Sequence, residues 1–386
     1  MGLLPIIEES SEELTAIFKD LHAHPEIGFT ETRTSAIVAE KLKAYGVDEV
    51  HTGIAKTGVV GLIKGKGDSN RVVGVRADMD ALPIHEETNL PYASKTPGVM
   101  HACGHDGHTT MLLGAAKHLA ATRDFHGTAM VIFQPAEEGL GGARGMLAEG
   151  LFDKFPCEEV YGIHNMPSGS TGQMAICKGR AMAGSSFFDI AIQGKGSHAA
   201  MPHQSRDPLV VAAALVGEIQ TILSRNVPPN EACVVSVTQL NSGSAYNIVP
   251  DTATLAGTIR YFSDDVCELA ETRMQELCDG FAKAYNVEID LKLRNIFNVL
   301  VNDPELSDAY LAAAAEIVGP ENVSDQFEPV TGSEDFADML REVPGAYCLV
   351  THTGDSALHN PSFFLDPEVL PIGASVLARL VEHRLS

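Results

Sequence analysis

The sequence predicts an α/β protein in which helices cover a mainly parallel sheet and a smaller α+β domain is inserted into the chain. Helices and apolar strands alternate from about residue 10 to residue 180. These strands are apolar without strict alternation, which is typical of a sheet covered on both faces. Residues 185–294 follow a different order, β-α-β-β-α-β, which is that of a ferredoxin-like unit.

The first part of the chain supplies most of the predicted sheet. Its elements are helices at about 9–22 and 31–45, strands at 58–64 and 71–77, a helix starting just after residue 108, strands at 127–134 and 159–163 with a short helix between them ending near 150, and a later strand at 346–350. Because strands separated by helices favour parallel pairing, we expect one mainly parallel sheet here.

The inserted domain begins with strand 185–193, whose apolar residues alternate. A helix follows to about residue 225, with Asp207 as its N-cap and Pro208 in its first turn. Strands at 232–240 and 252–262, a helix at about 264–285 and a strand near 287–293 complete the unit. We place the inserted domain at residues 182–295, which leaves residues 1–181 and 296–386 for the larger domain.

The composition excludes several classes of partner. The chain has 386 residues and a net charge of −24, from 51 acidic and 27 basic residues. This balance argues against nucleic acid and against an anionic membrane as partners. No apolar run approaches the roughly 18 residues of a membrane span. The N-terminus does not resemble a signal peptide, and the seven cysteines form no Cys-x-x-Cys pair, so we expect reduced thiols and a cytoplasmic protein.

Residues 101–108 read HACGHDGH, the stretch richest in metal-binding side chains. Cys103 and His105 are two residues apart, and Gly104 between them gives the backbone the freedom to aim both at one cation. The alternative is a polar loop with hydrogen-bonded histidines. The density of ligand types favours the metal site.

Further candidate ligands follow the ends of predicted strands. Asp80 follows strand 71–77, the pair Glu137 and Glu138 follows strand 127–134, His164 follows strand 159–163, and His359 lies in the loop after strand 346–350. Open α/β sheets build their sites at the carboxyl ends of their strands. A Glu-Glu pair is usually a solvated surface, but a position after an apolar strand and before a glycine-rich run favours a site.

Five of these side chains are candidate ligands: Cys103, His105, Glu138, His164 and His359. Five donors exceed a closed tetrahedral zinc site and suit two ions that share a bridging ligand, a role that a thiolate can fill. Such a pair would polarise a carbonyl and acidify a bound water. Glu137 could then hold the water and carry its proton.

These residues resemble the hippurate hydrolase, or aminoacylase-like, family of two-metal amidohydrolases, over essentially the whole chain. The matching motifs are residues 100–108 (MHACGHDGH), 133–139 (FQPAEEG), 196–200 (GSHAA), 247–250 (NIVP), 332–336 (GSEDF) and 359–361 (HNP). The resemblance implies that the inserted ferredoxin-like domain serves as lid and dimerisation domain, so we expect a homodimer or a higher homo-oligomer.

The resemblance also assigns the metal site. It implies that Cys103 bridges two divalent ions, with His105 and Glu138 completing one site and His164 and His359 the other. Commoner relatives use a bridging carboxylate, so the metal, which could be manganese, zinc, cobalt or nickel, stays open.

The same resemblance assigns the catalytic and substrate-binding residues. Glu137 matches the general base, and Asp80 the acid that orients a metal-bound imidazole. His198 resembles the donor that stabilises the tetrahedral oxyanion, often across a dimer interface. Asn247 and Arg260 resemble the pair that grips the substrate's α-carboxylate. His198 could instead be structural, and Arg260 could be a strand-surface ion pair.

The function expected on these grounds is metal-dependent hydrolysis of the amide in small N-acyl-L-amino acids, with N-acetyl or N-benzoyl groups as examples. One alternative is a metallo-exopeptidase, a dipeptidase or carboxypeptidase with the same two-metal core. Another is a metal-binding protein without catalysis, although a spare base beside a full ligand set argues against it.

Overall fold

The computed structural model describes residues 2–386 and divides them into two compact units. The first unit comprises residues 2–181, 300–329 and 334–386, and the second comprises Met182–Val299 and Val330–Ser333. The second unit therefore extends four residues beyond the predicted limit of 295 and includes a short later segment. The role of the second unit as a lid or dimerisation domain remains a prediction.

The first unit opens with six helices and seven strands. They are α1 (Pro5–Glu9), α2 (Ser11–Ala23), α3 (Thr32–Ala44), β1 (Glu49–Ile54), β2 (Gly58–Lys64), β3 (Gly67–Asp78), α4 (His105–Thr122), β4 (His126–Gln134), α5 (Gly142–Ala148), α6 (Leu151–Lys154), β5 (Glu159–Pro167), β6 (Met174–Ala175) and β7 (Gly179–Met182).

The second unit has the predicted ferredoxin-like order. Its elements are β8 (Gly184–Gln193), β9 (Ser197–His198), α7 (Pro208–Thr221) with a π-helical turn (Ile222–Asn226), β10 (Cys233–Ser242), β11 (Ile248–Val249), β12 (Thr252–Tyr261), α8 (Asp264–Tyr285) and β13 (Glu288–Phe297). The chain then returns to the first unit with β14 (Leu300–Asn302), α9 (Pro304–Val318), β15 (Val323–Ser324), α10 (Phe336–Glu342), β16 (Gly345–His352) and α11 (Val369–Arg384).

The large sheet has eight strands in the order β1-β2-β4-β3-β5-β16-β6-β15. The central strands β4, β3, β5 and β16 run parallel to one another, so their carboxyl ends meet at one edge. Strands β1 and β2 pair antiparallel, and β2 is antiparallel to β4. Helices α4 and α11 pack together, and both are almost wholly buried. The predicted α/β class with a mainly parallel sheet is confirmed.

Three details of this unit differ from the expectation. Strand β1 was not predicted, and β5 runs on through His164 to Pro167 instead of ending at residue 163. The prediction that a helix starts just after residue 108 was wrong, because α4 begins at His105 inside the ligand-rich stretch. The physical reason is Gly104, whose left-handed φ of 94° turns the chain directly into the helix.

The second unit has one four-stranded antiparallel sheet in the order β10-β12-β8-β13. The apolar residues of β8 alternate as predicted, with Phe188, Ile190 and Ile192 each about 1% exposed. Asp207 caps α7 by accepting N–H bonds from the next turn. The segment Pro208–Asn226 is the one described helix whose length and composition reach those of a membrane span, and side chains along one face of it, such as Leu215, are fully buried within the unit.

Candidate metal centre

The carboxyl ends of the central parallel strands, in the first unit, carry several of the predicted site residues. β3 ends at Asp78 and leads to Asp80, and β4 ends at Gln134 and leads to Glu137 and Glu138. His164 lies near the end of β5, and its neighbour β16 ends at His352. This edge is where the sequence placed the site.

Cys103 lies between two imidazoles. Its Sγ is 3.4 Å from His164 Nε2, and the donor atoms of Cys103, His105 and His164 all lie within 4.8 Å of one another. Asn165 Nδ2 donates to the Cys103 carbonyl over 2.5 Å, which fixes the loop. A Cβ at Gly104 would stand 2.2 Å from that amide nitrogen, so only glycine fits there.

The same thiol belongs to a second group of donors. Donor atoms of Cys103, Glu138 and His359 also lie within 4.8 Å of one another, with His359 Nε2 3.3 Å from Glu138 Oε1. The structure thus groups His105 with His164, and Glu138 with His359. His105 also lies within 4.8 Å of Glu138, which is the pairing that the resemblance implied, so that partition stays a prediction. A thiol common to both groups has the position that a bridging ligand requires.

The donor set fits two divalent cations. His105 Nε2 and Glu138 Oε1 are buried and have no hydrogen-bond partner among the described residues, although Glu138 Oε1 lies close to His359. Buried polar atoms normally have a partner, so these two atoms fit the role of metal ligands. One thiol and three imidazoles beside one carboxylate are ligands that suit metals such as zinc and nickel better than calcium or magnesium.

The electrostatics of the centre also favour cations. Burial acts to lower the pKa of His105, but Asp78, Cys103 and Asp80 raise it well above its usual value. Contacts with Cys103 and Glu138 raise the pKa of His359 to about 10. The surrounding anionic groups therefore stabilise positive charge at this place, and a metal ion would supply it. Burial raises the pKa of the Cys103 thiol, so metal binding would have to displace its proton.

Asp80 contacts two of the candidate ligand residues, His105 and Glu138, on atoms that would not bind the metal. Its Oδ1 is 3.2 Å from His105 Nδ1, and its Oδ2 accepts the backbone N–H of Glu138 at 3.0 Å. A carboxylate on Nδ1 leaves Nε2 of His105 to face the centre. Asp78 instead binds His108 Nδ1 at 2.6 Å and Arg76 Nη1 at 2.7 Å.

Glu137 is buried beside the ligands, with 6% of its surface exposed. Donor oxygens of Glu137 and Glu138 lie within 4.8 Å of each other and of a His105 nitrogen. Burial raises the pKa of Glu137 well above its usual value, and the carboxylates of Glu334, Glu138 and Asp335 add to this. A carboxyl with a raised pKa can both take up and return a proton near neutral pH.

Sequence reasoning missed the network around Arg76, which is fully buried. Arg76 donates to Gln134 Oε1, to Asp78 Oδ2, to Glu334 Oε1 at 2.8 Å and to Asp335 Oδ1 at 3.2 Å. Its one local signal was a charged residue inside the apolar strand 71–77. Glu334 and Asp335 belong to residues 332–336, one of the motifs that carry the family resemblance, but no role was predicted for them from the sequence.

The second unit carries the three remaining predicted residues. Ile248 pairs with His198 in a two-stranded sheet, and Ala199 N donates to the Asn247 carbonyl at 3.0 Å, so His198 and Asn247 are neighbours, both exposed. Arg260 lies eight residues beyond Thr252, at the other end of β12, about 26 Å along the strand. A single chain therefore does not bring Asn247 and Arg260 to one carboxylate.

Arg260 is half-buried and hydrogen-bonded, without a charged partner. Its Nη1 donates to Ser185 Oγ at 2.7 Å and to the Thr258 hydroxyl. No ion pair of Arg260 occurs among residues 2–386, which argues against the strand-surface ion pair as its role.

A mainly parallel α/β domain with a five-donor centre and a buried carboxyl beside it fits a metal-dependent hydrolase. The sequence model of the peptidase family M20/M25/M40 matches residues 74–383, and the chain belongs to that family. A hippurate hydrolase of Campylobacter jejuni is 43% identical over 380 residues, covering 98% of each chain. An N-acetylcysteine deacetylase of Bacillus subtilis is 36% identical over 363 residues, covering 94% of each chain.

A solved structure agrees with this assignment. The crystal structure of a Bacillus subtilis protein, described as a dinuclear metal-binding peptidase of the M20 family, superposes with a TM-score of 0.85 at 33% identity. The match covers 98% of this chain and 99% of that one.

Proposed function

We propose that this protein hydrolyses the amide bond of small N-acyl-L-amino acids, releasing a carboxylic acid and the free amino acid, with two divalent metal ions. The observation that carries the proposal is the pair of donor groups that share Cys103, beside the buried carboxyl of Glu137. The names of the two relatives above, a hippurate hydrolase and an N-acetylcysteine deacetylase, support the substrate class.

Five side chains would hold the ions. Cys103 would bind both, with His105 and His164 on one side and Glu138 and His359 on the other. When bound, the two ions would polarise the scissile carbonyl and lower the pKa of a water to about 7. Asp80 keeps the His105 ring and the Glu138 backbone in place for this.

Glu137 is the proton carrier in this proposal. Its Oε1 accepts the Asp335 N–H at 3.4 Å, which leaves the other oxygen to take a proton from the attacking water. The same carboxyl then returns the proton to the leaving amine, so that the base is restored at the end of the cycle. Its raised pKa suits both transfers.

His198 and Asn247 would act on the substrate from a second copy of the chain. Together they form one exposed corner of the second unit, whereas Arg260 lies at the far end of β12. If all three contact one substrate, two chains must contribute. His198 would donate to the developing oxyanion, and Arg260 would bind the α-carboxylate, although the protein as a whole is negatively charged.

A homodimer through the second unit agrees with its exposed apolar surface. Helix α7 exposes Leu209 at 40% and Val210 at 51%, and the edge strand β10 exposes Val234 at 43% and Leu240 at 46%. An edge strand and an apolar helix face are surfaces that soluble proteins normally cover. We propose that a second copy covers them.

The cytoplasm is the compartment that we propose. All seven cysteines are free thiols, Cys103 among them. An oxidising compartment would put that proposed ligand at risk, whereas a reducing one keeps it available for metal.

The experiment is a substrate panel on metal-free protein reconstituted separately with manganese, cobalt, zinc and nickel. N-acetyl and N-benzoyl amino acids are compared with free dipeptides, and the Cys103→Ala protein is the matched control. We expect turnover of the N-acyl amino acids and none in the control. Hydrolysis of dipeptides alone would assign an exopeptidase instead, and no hydrolysis with any metal would refute the proposal.

A further inference from the structure

The segment that carries Glu137 and Glu138, residues 135–143, is here named the base loop; it includes the start of α5. Three of its backbone N–H groups donate to carboxylates from three distant parts of the chain. The pairs are Ala136 N to Glu31 Oε1 at 2.8 Å, Glu138 N to Asp80 Oδ2 at 3.0 Å, and Ala143 N to Asp335 Oδ2 at 2.9 Å. All three carboxylates are at most 1% exposed.

The base loop has a conformation that needs such support. Ala136, directly before Glu137, has a φ of 55°, in the left-handed region that a residue with a Cβ adopts rarely. A strained backbone conformation persists only where the surrounding structure holds it in place, and such conformations are most common at functional sites. Glu31 binds the N–H of this strained residue, so it acts at the point that aims Glu137.

The two carboxylates that so far have no role are themselves firmly held. Glu31 Oε2 accepts the Thr57 hydroxyl at 2.6 Å. Asp335 Oδ1 accepts from Gln134 Nε2 at 2.7 Å and from Arg76 Nη2 at 3.2 Å, and Asp335 N reaches Glu137 itself. Each therefore offers the base loop a fixed acceptor.

Stability alone does not explain a buried glutamate at position 31. No Lys, Arg or His among residues 2–386 forms an ion pair with it, and burial raises its pKa. A buried carboxyl without a cation costs stability relative to an apolar side chain. A functional gain would offset this cost, and the fixed orientation of the base loop would provide one.

We propose that Glu31 and Asp335 are positioning residues that fix the base loop, and through it the Glu137 carboxyl, in the reactive orientation. The proposal rests on the proposed function, in which Glu137 transfers the proton. Neither residue touches the substrate; both act on backbone and side-chain atoms of the loop.

The test is a set of mutant cycles with Glu137→Gln, using the metal-loaded full chain. Since a misplacement of about 1 Å can cost about 100-fold, we expect Glu31→Ala to lower kcat by about 100-fold with KM within about threefold. Glu31→Gln keeps an acceptor oxygen and should recover most of this loss. In the Glu137→Gln background the same alanine substitution should cost less than about threefold, because no base remains to be oriented. We expect the same two results at Asp335: Asp335→Ala should lower kcat as Glu31→Ala does, and Asp335→Asn should recover most of that loss as Glu31→Gln does.

A control separates positioning from general stability. Asp303 also accepts two backbone N–H groups, at the start of α9, and Asp303→Ala should lower the melting temperature but leave kcat unchanged. If Glu31→Ala does not fold, Thr57→Val removes one bond to Glu31 and should lower kcat several-fold with the same dependence on Glu137.

Two results would overturn the proposal. One is an equal loss of kcat in both Glu137 backgrounds, and the other is a loss that follows the metal content of each variant. Near-normal turnover of the Glu137→Gln single variant would refute the role of Glu137, and with it this proposal. The absence of turnover by the metal-loaded wild type would refute the proposed function instead.

Discussion

Replacing Glu137 by Gln removes one proton-carrying group and little else. The side chains have nearly the same shape, and a Gln carbonyl oxygen can still accept the Asp335 N–H, which is 3.4 Å from Glu137 Oε1. Metal binding should survive, because Glu137 belongs to neither of the two donor groups that contain Cys103. The variant therefore tests proton transfer separately from the metal centre.

The expected size of the effect follows from the surroundings of the carboxyl. A positioned general base contributes about 10² to 10⁴ in rate, and Glu137 is buried, with its Oε1 3.4 Å from the backbone nitrogen of Asp335. We expect kcat to fall about 1000-fold or more, equivalent to about 4 kcal/mol of activation free energy. Loss of a buried carboxyl beside Glu334, Glu138 and Asp335 should leave the unfolding free energy equal or higher.

The assay compares three quantities in wild type and variant: kcat on an N-acyl amino acid, metal bound per chain, and the urea unfolding midpoint. The reasoning predicts a large loss in the first and no loss in the other two. Near-normal kcat would refute the role of Glu137. A loss of metal in parallel with kcat would show that Glu137 is a ligand.

The remaining predictions concern the thiol, one buried imidazole and the buried guanidinium. Cys103→Ala should bind fewer than two cobalt ions per chain whereas Cys103→Asp, with a bridging carboxylate, should keep two; equal binding by both variants in a metal titration would contradict this. Burial acts to lower the pKa of His22, but contacts with Asp106 and Glu86 raise it to about 9 from 6.5, so about 3 kcal/mol of stability should be present below pH 6.5 and be lost as the pH rises through 9. Urea unfolding of wild type and His22→Gln should therefore converge at high pH, and a constant gap would exclude the charged pair. Arg76→Met leaves three buried carboxylates uncompensated and should cost about 3 to 5 kcal/mol in the same assay; a cost under about 1 kcal/mol would contradict the network.

Patterns that are local in sequence predicted most of the fold. The alternation of Phe188, Ile190 and Ile192 and the cap at Asp207 were enough to place β8 and α7 in a ferredoxin-like unit. Strand β1 gave no such pattern, because it is short and mostly exposed or half-buried and has Gly53 as its next-to-last residue. The start of α4 depended on a single left-handed glycine, Gly104, whose φ is not written in the sequence.

The structure brings together the five side chains that the sequence predicted as ligands, but their geometry could not be predicted from the sequence. Strand ends gave Glu138, His164 and His359, but which of them share a neighbourhood depends on where Cys103 points in the folded chain. Arg76 and Asp335 are 259 residues apart, so no local pattern connects them. The separation of Asn247 from Arg260 could have been predicted from the sequence, since Asn247 precedes strand 252–262 and Arg260 lies near the end of that strand.

The central claim is that two ions share the thiol of Cys103 and together support amide hydrolysis. Its most direct test is the rate of N-benzoylglycine hydrolysis by metal-free protein against equivalents of cobalt added per chain, with cobalt retention measured on the same samples. The account predicts that rate and retention reach a plateau together at two equivalents. A plateau at one equivalent, or two retained ions without hydrolysis of this or any other N-acyl amino acid, would contradict it.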